Sequence, residues 1–229
     1  MSTIMAIGAH TGDAQLTCGM LLARYAQQGD KIITLDLTAG ERGAPKGVST
    51  SEFRQRNVDS AAEFAAMLGG ESLVLDGIPD GELEYSKELA IKIGDIMRKY
   101  GVSTVLYHWK NSMHKDHIIA NRLTTDAIFF ASLPTFERPL PPAPIKNWYY
   151  AENWEDSEGF VPYAYFDVTE AFPLWKDAVR KLWLTEHSTD FKYLQYYEGL
   201  ARMRGALIKT EYATAFAIDD YAKRVTPAL

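Results

Sequence analysis

Histidine and aspartate occur together at two points of the sequence where a strand-like run passes into a helix-like one. The first is Ala9–Asp13 (AHTGD) and the second is His114–His117 (HKDH). Because the carboxyl ends of parallel strands lie at one edge of a sheet, His10, Asp13 and His117 can meet around one point. Two imidazoles and one carboxylate are a usual ligand set for catalytic Zn²⁺, with a fourth position open to water. The pattern therefore favours Zn²⁺, or another divalent metal, as cofactor.

The same junctions have a purely structural alternative. A polar residue at the start of a helix often only caps the backbone. The Asp13 carboxylate, in a first helical turn, would also interact favourably with the helix dipole without any metal. Two such junctions at one sheet edge support a metal site more than one junction would, but spacing alone leaves both interpretations open.

These junctions depend on an alternation of strands and helices through the first two thirds of the chain. The short apolar runs that predict strands are Thr3–Gly8, Lys31–Thr38, Ser72–Asp76 and Ser103–His108. The amphipathic stretches between and after them predict helices over Asp13–Gln28, Thr50–Leu68, Ser86–Tyr100 and Asp116–Ala131. Nearly all-apolar strands alternating with helices predict an α/β fold with a mostly parallel sheet and helices on both faces.

A proline-rich stretch, Pro134–Pro144, separates this unit from an aromatic-rich tail. In the tail, Trp148–Ala151 and Pro162–Val168 are predicted as later strands, as antiparallel additions at the sheet edge. Glu170–Glu186 and Phe191–Thr210 are predicted as closing helices. With no internal repeat, the prediction is a single domain over residues 1–229.

Composition narrows the function classes. The chain of 229 residues carries a net charge of −6, whereas a protein that tracks nucleic acid would carry a basic surplus. The single cysteine, Cys18, excludes an internal disulfide framework. No apolar run reaches membrane-spanning length and the first residues lack a secretory pattern, so a cytoplasmic location is expected. A homo-oligomer is compatible with the sequence.

The motifs and their order resemble those of the LmbE-like, or PIG-L, family of N-acetylglucosaminyl de-N-acetylases. That family's first strand ends in A-H-P-D-D-E, where this chain has AHTGDA at 9–14, and its H-x-D-H motif is HKDH at 114–117. Between them, T-x-G-E-x-G is matched by TAGERG at 38–43 and P-D-G-x-L by PDGEL at 79–83. A characteristic arginine ahead of the family's A-A-x-x-L-G stretch corresponds to Arg54.

The resemblance implies a fold and a reaction. The fold is a Rossmann-like α/β sandwich. The reaction is metal-dependent hydrolysis, by metal-activated water, of an N-acyl group, usually the acetamide of a GlcNAc-type sugar. The expected partner is thus a small N-acetylated sugar or glycoside. By position, His10, Asp13 and His117 would be the metal ligands.

The resemblance also implies roles for other residues. His114 would face the developing oxyanion or the leaving amine, and Asp116 would orient a histidine. Arg54 would anchor substrate or order a loop, with a structural salt bridge as the alternative. Independently of the resemblance, the glycine-rich composition of Gly40–Ser49, which contains Glu41 and Arg42, predicts a loop that could close over substrate, the alternative being an exposed connection.

One departure from the family pattern bears directly on activity. The first Asp of A-H-P-D-D, the family's presumed general base, is Gly12 here. Loss of a general base typically lowers the rate by about 10² to 10⁴, so the chain is either a slower enzyme or a member that binds metal or a sugar-like ligand without turnover. Asp116 and Glu41 are candidates to replace the missing base. If none does, Gly12→Asp should raise turnover.

Overall fold

A seven-stranded sheet runs through the computed structural model, which describes residues 1–219. Its strands are β1 (Thr3–His10), β2 (Lys31–Thr38), β3 (Glu71–Val74), β4 (Thr104–Tyr107), β5 (Asn147–Ala151), β6 (Ala164–Asp167) and β7 (Ala213–Ala217). Their spatial order is β3-β2-β1-β4-β5-β7-β6. Strands β1 to β5 pair in parallel, and β7 pairs antiparallel with both β5 and β6. The predicted mostly parallel sheet is confirmed.

Helices cover both faces of this sheet. They are α1 (Asp13–Thr17), α2 (Gly19–Gln27), α3 (Thr50–Met67), α4 (Lys87–Tyr100), α5 (Lys115–Ser132), α6 (Phe172–Val179), α7 (Trp183–His187) and α8 (Tyr193–Ile208). Side chains of β1 alternate between the faces, as strand geometry requires. Ile4 and Ala6 belong to a core shared with α1, α2, α3, α6 and α8, whereas Met5 and Ile7 join a second core with α4 and α5.

The helix predicted over Asp13–Gln28 is interrupted at Cys18, which separates α1 from α2. The indole N–H of Trp175 donates to the carbonyl oxygen of Gln15 (3.0 Å), an oxygen that a continuous helix would pair with the N–H of Gly19. Gly19 also lets the indole come close, since a Cβ there would lie 2.6 Å from the ring. A distant tryptophan thus ends the first helix.

The later strands differ from their prediction in direction. β5 is parallel to β4, not antiparallel, because the chain returns to the sheet through the long crossover helix α5. The strand at Ala164–Asp167 is antiparallel, as predicted, but it pairs with β7 (ATAFA). The alanine-rich β7 carries little strand signal and was absent from the prediction. Within residues 1–219, no helix has the length and apolar character needed to cross a membrane.

A single buried arginine holds the proline-rich connection that follows α5. Arg98, 5% exposed, donates from its guanidinium to the carbonyl oxygens of Phe130 (2.7 Å), Leu133 (3.0 Å), Phe136 (3.3 Å) and Leu140 (3.0 Å). This connection leads directly into β5, so Arg98 helps to fix where the chain re-enters the sheet.

We expect Arg98→Met to lower the free energy of unfolding by about 2–4 kcal/mol, because several carbonyl groups lose their only side-chain donor. Urea unfolding measures this change. Arg122→Met, on the exposed face of the neighbouring α5, is the matched control and should cost under about 1 kcal/mol. Equal effects of the two substitutions would contradict the anchoring role.

Candidate functional site

A cavity of about 300 Å³ opens at the carboxyl end of β1, the edge at which the sequence places its His and Asp junctions. Its floor and its walls come from different parts of the chain. The residues that line it are His10, Thr11, Gly12, Asp13, Leu16, Gly40, Gly43, Phe53, Asn57, Asp80, His114, His117, Asn153, Trp154, Glu155, Trp183, Leu184, Ser188, Asp190, Tyr193 and Tyr197. The predicted metal ligands thus share one cavity with residues from well beyond position 150.

The Asp13 carboxylate lies among three imidazoles. Its Oδ2 is 3.3 Å from Nδ1 of His10, 3.5 Å from Nε2 of His117 and 3.2 Å from Nε2 of His108. The same oxygen accepts the backbone N–H of His10 (2.8 Å), which holds the turn between β1 and α1. The structure therefore brings His10, Asp13 and His117 together, and adds His108.

The far side of the His10 ring faces two further carboxylates. Its Nε2 is 3.2 Å from Oδ1 of Asp80 and 3.4 Å from Oδ2 of Asp116. Burial by itself lowers the pKa of His10, but its hydrogen bonds with Asp116, Asp13 and Asp80 outweigh burial and raise the pKa well above its usual value. Asp116 is fully buried and absent from the cavity wall, so its contact with the site is through His10.

His117 and His108 share one carboxylate on their other side. Asp156, in a short 3-10 turn (Trp154–Asp156), places Oδ1 2.8 Å from Nδ1 of His117 and Oδ2 2.8 Å from Nδ1 of His108. Burial raises the pKa of Asp156, but hydrogen bonds with both histidines lower it to about 2. The 3-10 turn was not predicted, and nothing in its sequence marks Asp156 as a partner of residues some 40 positions earlier.

The donor set fits a divalent cation. His10, His114 and His117 each offer a nitrogen within 4.8 Å of the others, and so do the ligand atoms of Asp13, His108 and His117. His10 and His117 each have one ring nitrogen facing Asp13 and the other against a carboxylate. Carboxylate-backed imidazoles of this kind are typical of metal ligands, because the outer carboxylate fixes the ring and its tautomer.

His114 is held as the cap of α5. Its Nδ1 accepts the backbone N–H of Asp116 (3.2 Å), which leaves Nε2 as the protonated nitrogen of the neutral ring. Burial, and then the charge of His10, lower the pKa of His114, so the neutral form prevails near pH 7. A neutral imidazole at the cavity wall can donate one hydrogen bond to a ligand oxygen.

The three residues expected to bind substrate stand behind the cavity wall. Arg54 donates to the carbonyl oxygen of Leu75 (3.2 Å) and to Asp76 (2.6 Å), and its guanidinium is 3.9 Å from Glu41. Glu41 accepts the backbone N–H of Asp80 (2.9 Å). These contacts position the Asp80 loop beside His10.

The third of these residues, Arg42, contacts that loop from outside. Its backbone N–H donates to Oδ2 of Asp80 (3.1 Å), and its half-exposed guanidinium pairs with Glu82. The PDGEL segment is thus connected to the TAGERG loop at Asp80 and at Glu82, and Asp80 is its side chain that reaches the cavity.

Several wall residues had no signal in the sequence motifs. Glu155 lies with its carboxylate 4.0 Å from Nε2 of His117, and burial, followed by the charges of Asp13 and Asp156, raises its pKa to about 7. Trp154 and Trp183 contribute aromatic surface, and Trp154 stacks on Phe191 with ring centroids 4.5 Å apart. Trp154 belongs to the aromatic-rich tail that follows the proline-rich stretch, and it lines the cavity.

Comparison with known proteins identifies the family of the chain. Residues 5–128, more than half of the chain, match the family described as PIG-L: GlcNAc-PI de-N-acetylase. The chain belongs to the PIG-L family. This match spans both His/Asp junctions and the loops between them, and it ends before the 3-10 turn that carries Glu155 and Asp156.

Individual relatives carry different activities. The chain is 30% identical over 139 residues to a diacetylchitobiose deacetylase of Thermococcus kodakarensis, covering 59% of this chain and 52%, about half, of that protein. It is 25% identical to a 4-oxalmesaconate hydratase of Pseudomonas putida over 90% of this chain and 80% of that one. The crystal structure of GalB, a 4-carboxy-2-hydroxymuconate hydratase of Pseudomonas putida, shares the fold with a TM-score of 0.89, 21% identity and full coverage of both chains.

In this member of the PIG-L family, Gly12 has a backbone conformation that suits glycine alone. Its φ is +115°, and its N–H donates to the side chain of Gln15 (2.9 Å). A Cβ at Gly12 would lie 2.6 Å from Cδ2 of Leu184. Leu184 of α7 therefore occupies the space into which an aspartate at position 12 would project. That Gly12→Asp raises turnover stays a prediction, and the structure adds a cost in stability to it.

We expect Gly12→Asp to lower the free energy of unfolding by about 1–3 kcal/mol, through backbone strain and the clash with Leu184. Chemical denaturation measures this, and adding Leu184→Ala should recover the steric part. Gly29→Asp is the matched control, because Gly29 also has a positive φ (+83°) but its Cβ would meet no atom within 4 Å. If Leu184→Ala recovers no stability in the Gly12→Asp background, the steric conflict is refuted.

Proposed function

We propose that this chain is a metal-dependent hydrolase that removes an N-acyl group, an acetyl, from a small amino-sugar derivative. The observation that carries the proposal is the pair of carboxylate-backed imidazoles, His10 and His117, that face Asp13 at the floor of the cavity. Membership of the PIG-L family and the similarity to a diacetylchitobiose deacetylase support the same reaction class.

His10, Asp13 and His117 would hold the metal, with Zn²⁺ as the first choice for two nitrogens and one carboxylate. A divalent cation bound there would polarise an acyl carbonyl and lower the pKa of a water molecule. Asp116 and Asp80 keep His10 oriented from behind, and this is the role we assign to Asp116.

The remaining steps fall to side chains of the cavity wall. The protonated Nε2 of His114 would donate to the carbonyl oxygen as negative charge develops on it, which stabilises the transition state. Glu155 lies in the cavity wall with its carboxylate facing Nε2 of His117, and unlike Asp80 and Asp116 it is not paired with His10. Its position therefore suits it to accept the proton of the attacking water. Arg54, Glu41 and Arg42 would act indirectly, by fixing the loop that carries Asp80.

The walls of the cavity favour an uncharged ring as ligand. Trp154, Trp183 and Tyr193 supply flat apolar surface, while Asn57 and Ser188 supply neutral polar groups. Across residues 1–219, no lysine or arginine lines this cavity. A sugar ring can stack on such walls, and an acetylated amine adds no charge that would need a cationic partner.

Hydration of a small unsaturated carboxylate is the second candidate. Two observations favour it: Gly12 replaces the base of the hydrolytic motif, and the match to the 4-oxalmesaconate hydratase extends over 90% of this chain. The same metal site could activate water for addition to a carbon-carbon double bond. Against it stands the cavity wall, which has carboxylates but no lysine or arginine to pair with a substrate of several negative charges.

A cytoplasmic location and a homo-oligomeric state remain predictions.

Acetate release from N-acetylglucosamine and N,N′-diacetylchitobiose, measured beside loss of the conjugated absorbance of 4-oxalmesaconate, separates these candidates. We expect acetate release and no hydration. Hydration without acetate release would replace the first function by the second. Turnover of neither substrate class by a metal-loaded protein would support a member that binds without turnover.

Metal analysis checks the proposed cofactor. The purified full chain should bind one equivalent of Zn²⁺ or another divalent ion, and a chelator should abolish acetate release until metal is returned. His117→Ala should fail to retain the metal, because it removes one of two imidazole ligands. His187→Ala is the matched control, since His187 is exposed and lies outside the candidate metal groups. Full metal content in the His117 variant would contradict the ligand set.

A further inference from the structure

We infer that Asp156 is a positioning residue of the metal centre: its carboxylate fixes the protonation pattern of two imidazoles, so that Nε2 of His117 presents a lone pair to the metal position. This inference rests on the metal centre proposed above. Asp156 lies outside the segment that matches the family, and its role follows from contacts in this chain.

The carboxylate of Asp156 accepts one hydrogen bond from each ring of a stacked pair. His108 and His117 stack with centroids 4.1 Å apart and an interplanar angle of 29°. Each directs Nδ1 at a different oxygen of Asp156, both at 2.8 Å. Because an ionised carboxylate only accepts, both rings carry a proton on Nδ1. Ser112 Oγ, at 3.4 Å from Nδ1 of His117, is the more distant partner.

His108 is fixed from its other side as well. The backbone N–H of Ala9 donates to Nε2 of His108 (3.0 Å), so this nitrogen serves as an acceptor. His108 is 4% exposed and cannot turn to solvent for another partner. Ala9 lies in β1 immediately before His10, which ties the His108 ring to the strand that delivers the first metal ligand.

The consequence for His117 follows from its geometry. With a proton on Nδ1, the neutral ring has its lone pair on Nε2, the nitrogen that lies 3.5 Å from Oδ2 of Asp13. A metal ion held by Asp13 would therefore meet a nitrogen already free to coordinate. Asp156 keeps this arrangement in place before any metal arrives, which lowers the cost of ordering the site on binding.

Asp156→Asn tests this directly, because asparagine offers one oxygen and one NH₂ group to the two rings. His108 must keep its Nδ1 proton, since Ala9 occupies Nε2, and so it takes the oxygen. The NH₂ group then faces His117, which must accept at Nδ1 and move its proton to Nε2. We expect Zn²⁺ affinity, measured by competition with a chelator, to fall about 10- to 100-fold.

Two measurements make the outcome specific. Long-range ¹H–¹⁵N NMR of the metal-free protein should show His117 protonated at Nδ1 in the parent and at Nε2 in Asp156→Asn. His108→Phe combined with Asp156→Asn frees the amide to turn its oxygen toward His117, and should recover part of the lost affinity. Asp177→Asn, an exposed position of α6, should change neither readout.

Several results would overturn the inference. One is an Asp156→Asn protein that binds Zn²⁺ within about threefold of the parent. Another is a parent protein whose His117 carries its proton on Nε2, a measurement that stands even if the variant fails to fold. A parent that binds no divalent ion would instead refute the proposed metal centre, while the NMR comparison still decides the role of Asp156 in setting the tautomers.

Discussion

The site depends on one buried carboxylate, that of Asp13. Burial alone raises the pKa of Asp13, yet the neighbouring imidazoles of His117 and His10 lower it well below its usual value. A charge removed from water needs partners on every side, and leaving it unpaired is far more costly than the pairing is favourable. Three imidazoles, a backbone N–H and the start of α1 meet this requirement, and each imidazole in turn has a further carboxylate partner.

This requirement explains why carboxylates surround the histidines. His10 has Asp116 and Asp80 behind it, and His117 has Asp156. Each outer carboxylate has a further donor of its own: Gly81 N–H donates to Oδ2 of Asp116 at 2.8 Å, Arg42 N–H donates to Asp80 at 3.1 Å, and Asp156 also contacts the His108 ring. The result is a connected polar network at a sheet edge, in which moving one ring would leave several buried groups without partners.

Much of the architecture could be predicted because local patterns specify it. The apolar run of β2 and its bounds, Lys31–Thr38, were predicted to the residue, and the two His/Asp junctions lie at the end of β1 and the start of α5. The parallel sheet follows from strand-helix alternation, and the carboxyl-edge rule then places His10 and His117 near each other. Where the structure departs from the local pattern, a contact with a distant residue is the cause. At Cys18, for example, Trp175 interrupts the first helix.

The site residues that the sequence did not predict share one physical cause. Glu155 and Leu184 line the cavity, and Asp156 contacts the far side of His117. All three come from segments after residue 150, whose placement depends on β5 being parallel and on β7, an alanine-rich strand, entering the sheet between β5 and β6. No spacing rule links such residues to position 13. The effect of Gly12 was equally hidden, because a missing carboxylate shows in the sequence but a positive φ and a leucine above it do not.

The lone thiol at the junction of α1 and α2 gives the folded protein a built-in probe of local opening. Cys18 is 1% exposed, and burial raises its pKa to about 12, so almost no reactive thiolate exists in the native state. Alkylation of Cys18 therefore requires α1 to separate from the core, and the rate of the reaction reports how often the helix that begins at Asp13 comes loose. A ligand that tightens the metal-binding turn would slow that reaction without touching the sulfur.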